Sequence, residues 1–125
     1  MRAINNKQIA GRINRFKTAL ANFSQEAYGM GRAHSREAEA AIDECKTAIK
    51  EIRELVATDP VFSNDLPTVD LPNYYENLLR HAKSSSSIAE EVIEYLSEDE
   101  EVFAQDYEDG MTYRRKLKEL GDRRM

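Results

Sequence analysis

Residues 9–30 read Ile9-Ala10-Gly11-Arg12-Ile13-Asn14-Arg15-Phe16-Lys17-Thr18-Ala19-Leu20-Ala21-Asn22-Phe23-Ser24-Gln25-Glu26-Ala27-Tyr28-Gly29-Met30. Within this stretch Ile9, Ile13, Phe16, Leu20, Phe23, Ala27 and Met30 recur at alternating gaps of four and three. That spacing puts them along one side of an α-helix as a heptad seam. It predicts a first helix over residues 6–28, which Gly29 and Gly31 can end by supplying left-handed backbone. The same spacing returns in Ala38, Ile42, Cys45, Ile49, Ile52 and Val56, widened by Ala41, Ala48 and Leu55, and predicts a second helix over 35–57. Two long seams joined by a short Gly-containing connection read as an antiparallel αα-hairpin over residues 6–57.

Beyond the hairpin the punctuation changes. All three prolines of the chain, Pro60, Pro67 and Pro72, lie in thirteen residues. Asp59-Pro60 disfavours helix at the residue before proline, so residues 58–71 are expected to form a Pro-rich crossover loop. Val61, Phe62, Leu66, Val69 and Leu71 can pin it to the bundle. Asp70 offers an N-cap with Pro72 in the first turn, opening a third helix over 72–83 with Tyr75, Leu78, Leu79 and Ala82 on its apolar stripe. Ser87 and Glu90 have capping-box spacing and mark the start of a further helical region over 87–120. At 100° steps Ile88, Val92, Leu96, Phe103, Tyr113, Leu117 and Leu120 share its apolar face, with Asp99 and Asp106 intruding there. A second S-x-x-E at Ser97 and the helix-weakening Gly110 leave two outcomes, one bent helix or two helices meeting near Ser97 or Gly110. Residues 121–125 form a basic tail. The expectation is one all-α domain over 1–125, a bundle of four to five helices.

Charge is distributed in blocks. The net charge of −5 conceals +6 over residues 1–36, −5 over 37–89, −10 over 90–109 and +4 over 110–125. Residues 90–109 hold ten carboxylates and no Lys or Arg. The helical wheel places Glu90, Glu91, Glu94, Glu98, Glu101, Glu108 and Asp109 opposite the apolar face. With Tyr107, a residue type favoured at interfaces, these are the candidate partner-binding residues. Ten charges on a 20-residue helix amount to one per ~3 Å, close to the one per 3.4 Å of a single DNA strand. The expected function is that of a non-catalytic interaction module, an inhibitor or regulator that docks this face on the basic surface of a larger, nucleic-acid-handling protein. The competing reading is intramolecular: the acidic block neutralises the basic ends of its own chain. Size and charge also suggest a phage or mobile-element origin.

Chemistry finds little footing. Cys45 is the single cysteine, which fits a reducing compartment, and its seam position makes it a small core residue. His34 and His81 are the only histidines, too few with one Cys for a zinc site, and no nucleotide-binding or nucleophile-elbow motif occurs. The Glu91/Glu94, Glu98/Glu101 and Asp106/Asp109 pairs resemble, in spacing alone, the Glu-x-x-Glu motif with which all-α nucleotide pyrophosphohydrolases hold Mg²⁺. This gives an alternative reading as a metal-dependent enzyme. The wheel, however, turns these carboxylates away from the core, and no catalytic residue, cofactor or metal ligand is assigned. Asn6–Ile13 is similar to the start of a helix-turn-helix, but the seam runs on through Leu20 without the turn that motif needs. Lys7, Arg12, Arg15 and Lys17 spread around the helix, so direct nucleic-acid binding is not expected. A third reading is a structural or assembly component that oligomerises through helix 1, with a homodimer through exposed seam ends as one form. No apolar run approaches the ~20 residues of a membrane span, and Met1–Lys7 lacks the apolar core of a signal peptide. The chain reads as cytoplasmic.

Overall fold

The computed structural model describes residues 3–29, 36–57, 71–105 and 110–124. All the regular structure among them is helical. Helix α1 spans Ala3–Ser24 and passes directly into a π-helical turn, Gln25–Gly29. Helix α2 spans Arg36–Ala57, α3 Leu71–Ala82, α4 Ser86–Ala104 and α5 Gly110–Arg124. Residues 58–70 of the crossover loop, the Asp70 cap and the connection around Gly31 fall outside the described residues, and Leu71, expected at the end of that loop, opens α3.

Helix directions follow from the side-chain pairs that join them. Arg15 Nη2 lies 3.0 Å from Glu44 Oε2, and Arg12 Nε lies 2.6 Å from Glu51 Oε1. Later positions on α1 meet earlier ones on α2, so the two are antiparallel, as the paired seams require. Lys17 and Asn14 both reach Glu100, at 2.7 and 3.0 Å, and join α1 to α4. Arg53 Nη2 lies 2.5 Å from Glu76 and links α2 to α3. Phe16 meets Tyr75, and the Tyr28 hydroxyl donates to the Lys83 carbonyl at 2.8 Å, so α3 runs parallel to α1. The four helices form an up-down-up-down bundle in which α1 packs against both α2 and α4. The π turn brings Tyr28 to the exposed end of α3, where its hydroxyl satisfies a carbonyl that the helix end leaves without an intrahelical partner.

The first seam is consumed inside the chain. Ile9, Ile13, Phe16 and Leu20 have no exposed surface, and Phe23 and Ala27 are also buried. The described part of this seam therefore lies inside the bundle, and its last member, Met30, falls outside the described residues. On α2 the seam residues from Ala38 to Ile52 are buried likewise, and Val56 packs at their edge. The third helix buries Tyr75, Leu78, Leu79 and Ala82, as its stripe predicts.

The acidic region is two helices. The break begins at Gln105, whose extended backbone (φ −76°, ψ 146°) ends α4, and helix resumes at Gly110. Ser97 does not cap anything: it lies inside α4 and its hydroxyl donates to the Ile93 carbonyl at 3.0 Å, the back-bond available to a mid-helix serine. The basic tail also differs from expectation, because α5 continues to Arg124. Phe103 and Tyr113 meet edge-to-face at 6.2 Å across the break, and Tyr113 and Leu117 join the common core. The apolar phase predicted for one long helix therefore survives in two.

The start of α4 needs a second correction. Its N-cap is Ser85, in extended backbone with Oγ accepting from the Ile88 amide at 3.2 Å, not Ser87. In the four-serine run, Ser84 is held in the turn by donating to the His81 carbonyl at 2.6 Å, which leaves Ser85 next in line to cap. Ser85→Ala is therefore expected to cost about 1 kcal/mol, whereas Ser87→Ala, at an exposed helical position, stays within about 0.5 kcal/mol. Paired urea denaturations separate the two, and equal losses would contradict the observed cap.

Among the described residues two polar side chains are buried with the apolar ones, Asn6 and Asp99. The Tyr75 hydroxyl donates to Asp99 Oδ2 at 2.8 Å between α3 and α4. Asp99 intrudes on the apolar face of its helix because a tyrosine of the neighbouring helix supplies it with a donor. Nothing among the described residues explains Asn6, whose amide oxygen and nitrogen find no hydrogen-bond partner there.

Candidate interaction surface

On α4 the positions that face away from Val92, Leu96, Asp99 and Phe103 are Glu90, Glu91, Glu94, Glu98 and Glu101. Glu90, Glu91, Glu94 and Glu101 are exposed and Glu98 is partly so. From Glu90 to Glu101 they run about 16 Å along the helix at 1.5 Å per residue. Glu91 accepts a hydrogen bond from the Tyr95 hydroxyl one turn on, at 2.6 Å. Of the candidate residues named from the sequence, the structure thus brings these five together on one helix. Tyr107, Glu108 and Asp109 lie outside the described residues.

The described basic residues bear on the two readings of this face. Arg15 is engaged by Glu44 and Glu51 of α2, and Glu44, with Glu51 behind it, raises the Arg15 guanidinium above its ordinary pKa. Arg12 turns to the same Glu51, although its N–H is poorly aligned for a hydrogen bond. Lys17 is spent on Glu100, which sits at the α1–α4 boundary rather than on the outer face. Lys116 pairs within α5, 3.9 Å from Glu119. Among the described residues, Glu90, Glu91, Glu94 and Glu101 have no ion-pair partner. Arg12 and Arg15 thus pair with α2 and Lys17 with one residue of α4, while Glu90, Glu91, Glu94 and Glu101 receive no cation from the described residues.

Apolar contact surface is scarce by comparison. Among the described residues Met111, 68% exposed, is the one large apolar side chain that stands out in solvent. Tyr75 has no exposed surface and belongs to the core, meeting Phe16 edge-to-face at 6.1 Å. Tyr74 is only partly buried and packs against the same core.

For metal chemistry, the Glu91/Glu94 and Glu98/Glu101 pairs lie along the outside of a single helix. Among the described residues no three His, Cys, Asp or Glu side chains gather closely enough to hold an ion. A bundle metal site needs carboxylates projecting inward from facing helices, and the one inward carboxylate of α4, Asp99, is met by Tyr75. Cys45 is fully buried, its Sγ 3.9 Å from the Phe16 carbonyl. Burial, and secondly the charge of Glu44, push its thiol up to about 12. A thiol raised this far is no nucleophile at neutral pH. Because the folded state holds the proton more tightly than the unfolded chain, the associated stability is complete below about pH 9 and is lost as pH rises toward 12. A disulfide reagent at pH 8 is expected to label Cys45 only at the rate of unfolding, so that urea accelerates labelling. Rapid labelling of the native protein would contradict the burial.

No protein-family model matches the chain, and neither does any curated protein or any solved structure. No helix among the described residues is long and apolar enough to cross a membrane. What the molecule offers a partner has to be read from its own surface.

Proposed function

We propose that the protein is a non-catalytic interaction module whose α4 face docks on the basic surface of a larger protein, with a nucleic-acid-handling protein as the partner class. The observation that carries this reading is the stripe Glu90, Glu91, Glu94 and Glu101, exposed and without cationic partners among the described residues, while Arg12, Arg15 and Lys17 pair with other carboxylates. Like charges at i, i+4, as in Glu90 and Glu94, weaken a helix slightly. Holding them together without compensation is a cost that a basic partner removes. Over about 16 Å of helix these four carboxylates amount to one per ~4 Å, against one per 3.4 Å along a single DNA strand, so the stripe competes for surfaces built to bind nucleic acid. With little exposed apolar surface among the described residues, charge provides the orientation and the speed of encounter. The acidic stripe points to an inhibitor or regulator; no observation favours the metal-dependent hydrolase.

The test is affinity capture from nuclease-treated host extract at low salt, followed by a salt gradient and by competition with duplex DNA. The partner is expected to elute steeply between about 50 and 200 mM salt, over which multi-phosphate-type contacts lose orders of magnitude in affinity, and to be displaced by DNA. A partner retained unchanged through that gradient and indifferent to DNA would overturn the mechanism.

A further inference from the structure

We infer that the groove between α2 and α3 is a second binding site, for a phosphate monoester carried on an aliphatic body. Residues 37–89 have a net charge of −5 and contain only five basic residues: Lys46, Lys50, Arg53, Arg80 and Lys83. The fold brings all five to one groove of about 390 Å³, floored by Ile49 and Leu79, with Glu76 as the only carboxylate in its lining. The spacing explains how. Lys46, Lys50 and Arg53 stand at i, i+4 and i+7 on α2, and Glu76, Arg80 and Lys83 stand at the same spacing on the antiparallel α3, so each set forms one rim. Arg53 is paired with Glu76. Lys46, Lys50, Arg80 and Lys83 have no ion pair among the described residues.

Ordinary helix electrostatics accounts for part of this arrangement and not the rest. Arg80 and Lys83 sit at the C-terminal end of α3, where cations are favoured. Lys46 and Lys50 lie in the interior of α2, gain nothing from a helix end, and face the other two cations across the groove. A ligand carrying two negative charges relieves that crowding, and Arg80 supplies the planar fork that engages phosphate oxygens in pairs. The volume falls at the lower end of the range for small-molecule sites. The aliphatic floor, together with the methylene stems of the lysines, suits a short hydrocarbon body. No aromatic side chain lines the groove, so a nucleobase finds nothing to stack on. The site is on different helices from the acidic stripe and does not depend on it.

Octyl phosphate, titrated into the isotope-labelled full chain and followed by amide NMR shifts, is the test, with octanol and inorganic phosphate as controls. Saturable shifts centred on Ile49 and Leu79 are expected, at least tenfold tighter than with either control. The double variant K50E/R80E should weaken binding tenfold or more while K50R/R80K stays within about threefold, and thermal melts of both should match the parent because the altered side chains are exposed. Flotation with phosphatidic acid vesicles then identifies the source of the ligand: co-flotation means a lipid headgroup, and binding of the free ester alone means a soluble metabolite. Absence of saturable shifts, shifts confined to α4 and α5, equal affinity for octanol, or a folded K50E/R80E that binds unchanged would each overturn the assignment.

Discussion

Replacing Glu90, Glu94, Glu98 and Glu101 together by Lys is expected to leave a folded helical protein that no longer holds its partner. Glu90, Glu94 and Glu101 are exposed and Glu98 is partly so. Exposed charges contribute only ~0–1 kcal/mol each. The substitution exchanges one repelling i, i+4 series for another of opposite sign, so the stripe's internal repulsion is little changed. Glu100, which holds Lys17 and Asn14 at the α1–α4 boundary, and Asp99, which accepts from Tyr75, are untouched. A loss of no more than about 2 kcal/mol is therefore expected in a urea titration, most of it at half-buried Glu98. Binding should respond far more strongly. Juxtaposing four new cations with a basic surface costs several kcal/mol, and each 1.4 kcal/mol is a factor of ten in affinity, so capture should weaken at least ~100-fold. If the stripe merely balanced the chain's own basic residues, the outcome would invert, with a large drop in melting temperature and no separate binding defect. A stable variant that still captures the partner would place the docking surface elsewhere on the molecule.

The largest effect on stability is expected from Phe16→Ala. Phe16 has no exposed surface and lies where α1, α2 and α3 converge: its ring meets Tyr75 at 6.1 Å and 87°, and its carbonyl faces the Cys45 thiol. Truncating a buried Phe removes its transfer free energy and leaves a cavity, together about 3–5 kcal/mol. The edge-to-face contact is included in that loss, since aromatic pairs are worth ~0.5–1.5 kcal/mol beyond area burial. Domains of this size are stabilised by only about 5–15 kcal/mol in total, so the variant should be marginally folded at 37 °C. Circular dichroism during urea unfolding measures the change. A loss below about 1 kcal/mol would mean that the first seam is not at the centre of the bundle. Removing the hydroxyl of its neighbour in Tyr75→Phe provides a milder comparison, about 1–3 kcal/mol, because the buried carboxylate of Asp99 loses a donor.

The periodic features of the chain were legible without coordinates. A heptad seam from Ile9 to Ala27 and another from Ala38 to Ile52 can be buried together only as paired helices, and the bundle buries both. The acidic stripe was legible for the same reason: once Val92, Leu96 and Phe103 face inward, helical geometry sends Glu90, Glu91, Glu94, Glu98 and Glu101 outward. Local signals that compete were not decided by the sequence. Four consecutive serines offered several caps, and the hydrogen bond of Ser84 to His81 selected Ser85. Ser97 and Gly110 each suggested a break, but the ending at Gln105 also depends on how Phe103 and Tyr113 pack across it. Asp99 looked like a flaw in an apolar face because its donor, Tyr75, lies 24 residues away on another helix.

Tertiary structure alone decided where the charges go. Composition blocks suggested that basic ends would neutralise an acidic middle, yet Arg12 and Arg15 pair with α2 because α2 is the antiparallel neighbour on their side of the bundle. Five cations dispersed through a net acidic segment become one groove only when α3 folds back antiparallel along α2. The physical reason is range. Hydrophobic periodicity is a property of one helix and its own 3.6-residue turn, so the sequence by itself determines which face is buried. Ion pairs, buried hydrogen bonds and grooves join residues that are distant in the chain, and which of them meet depends on the order in which the helices pack.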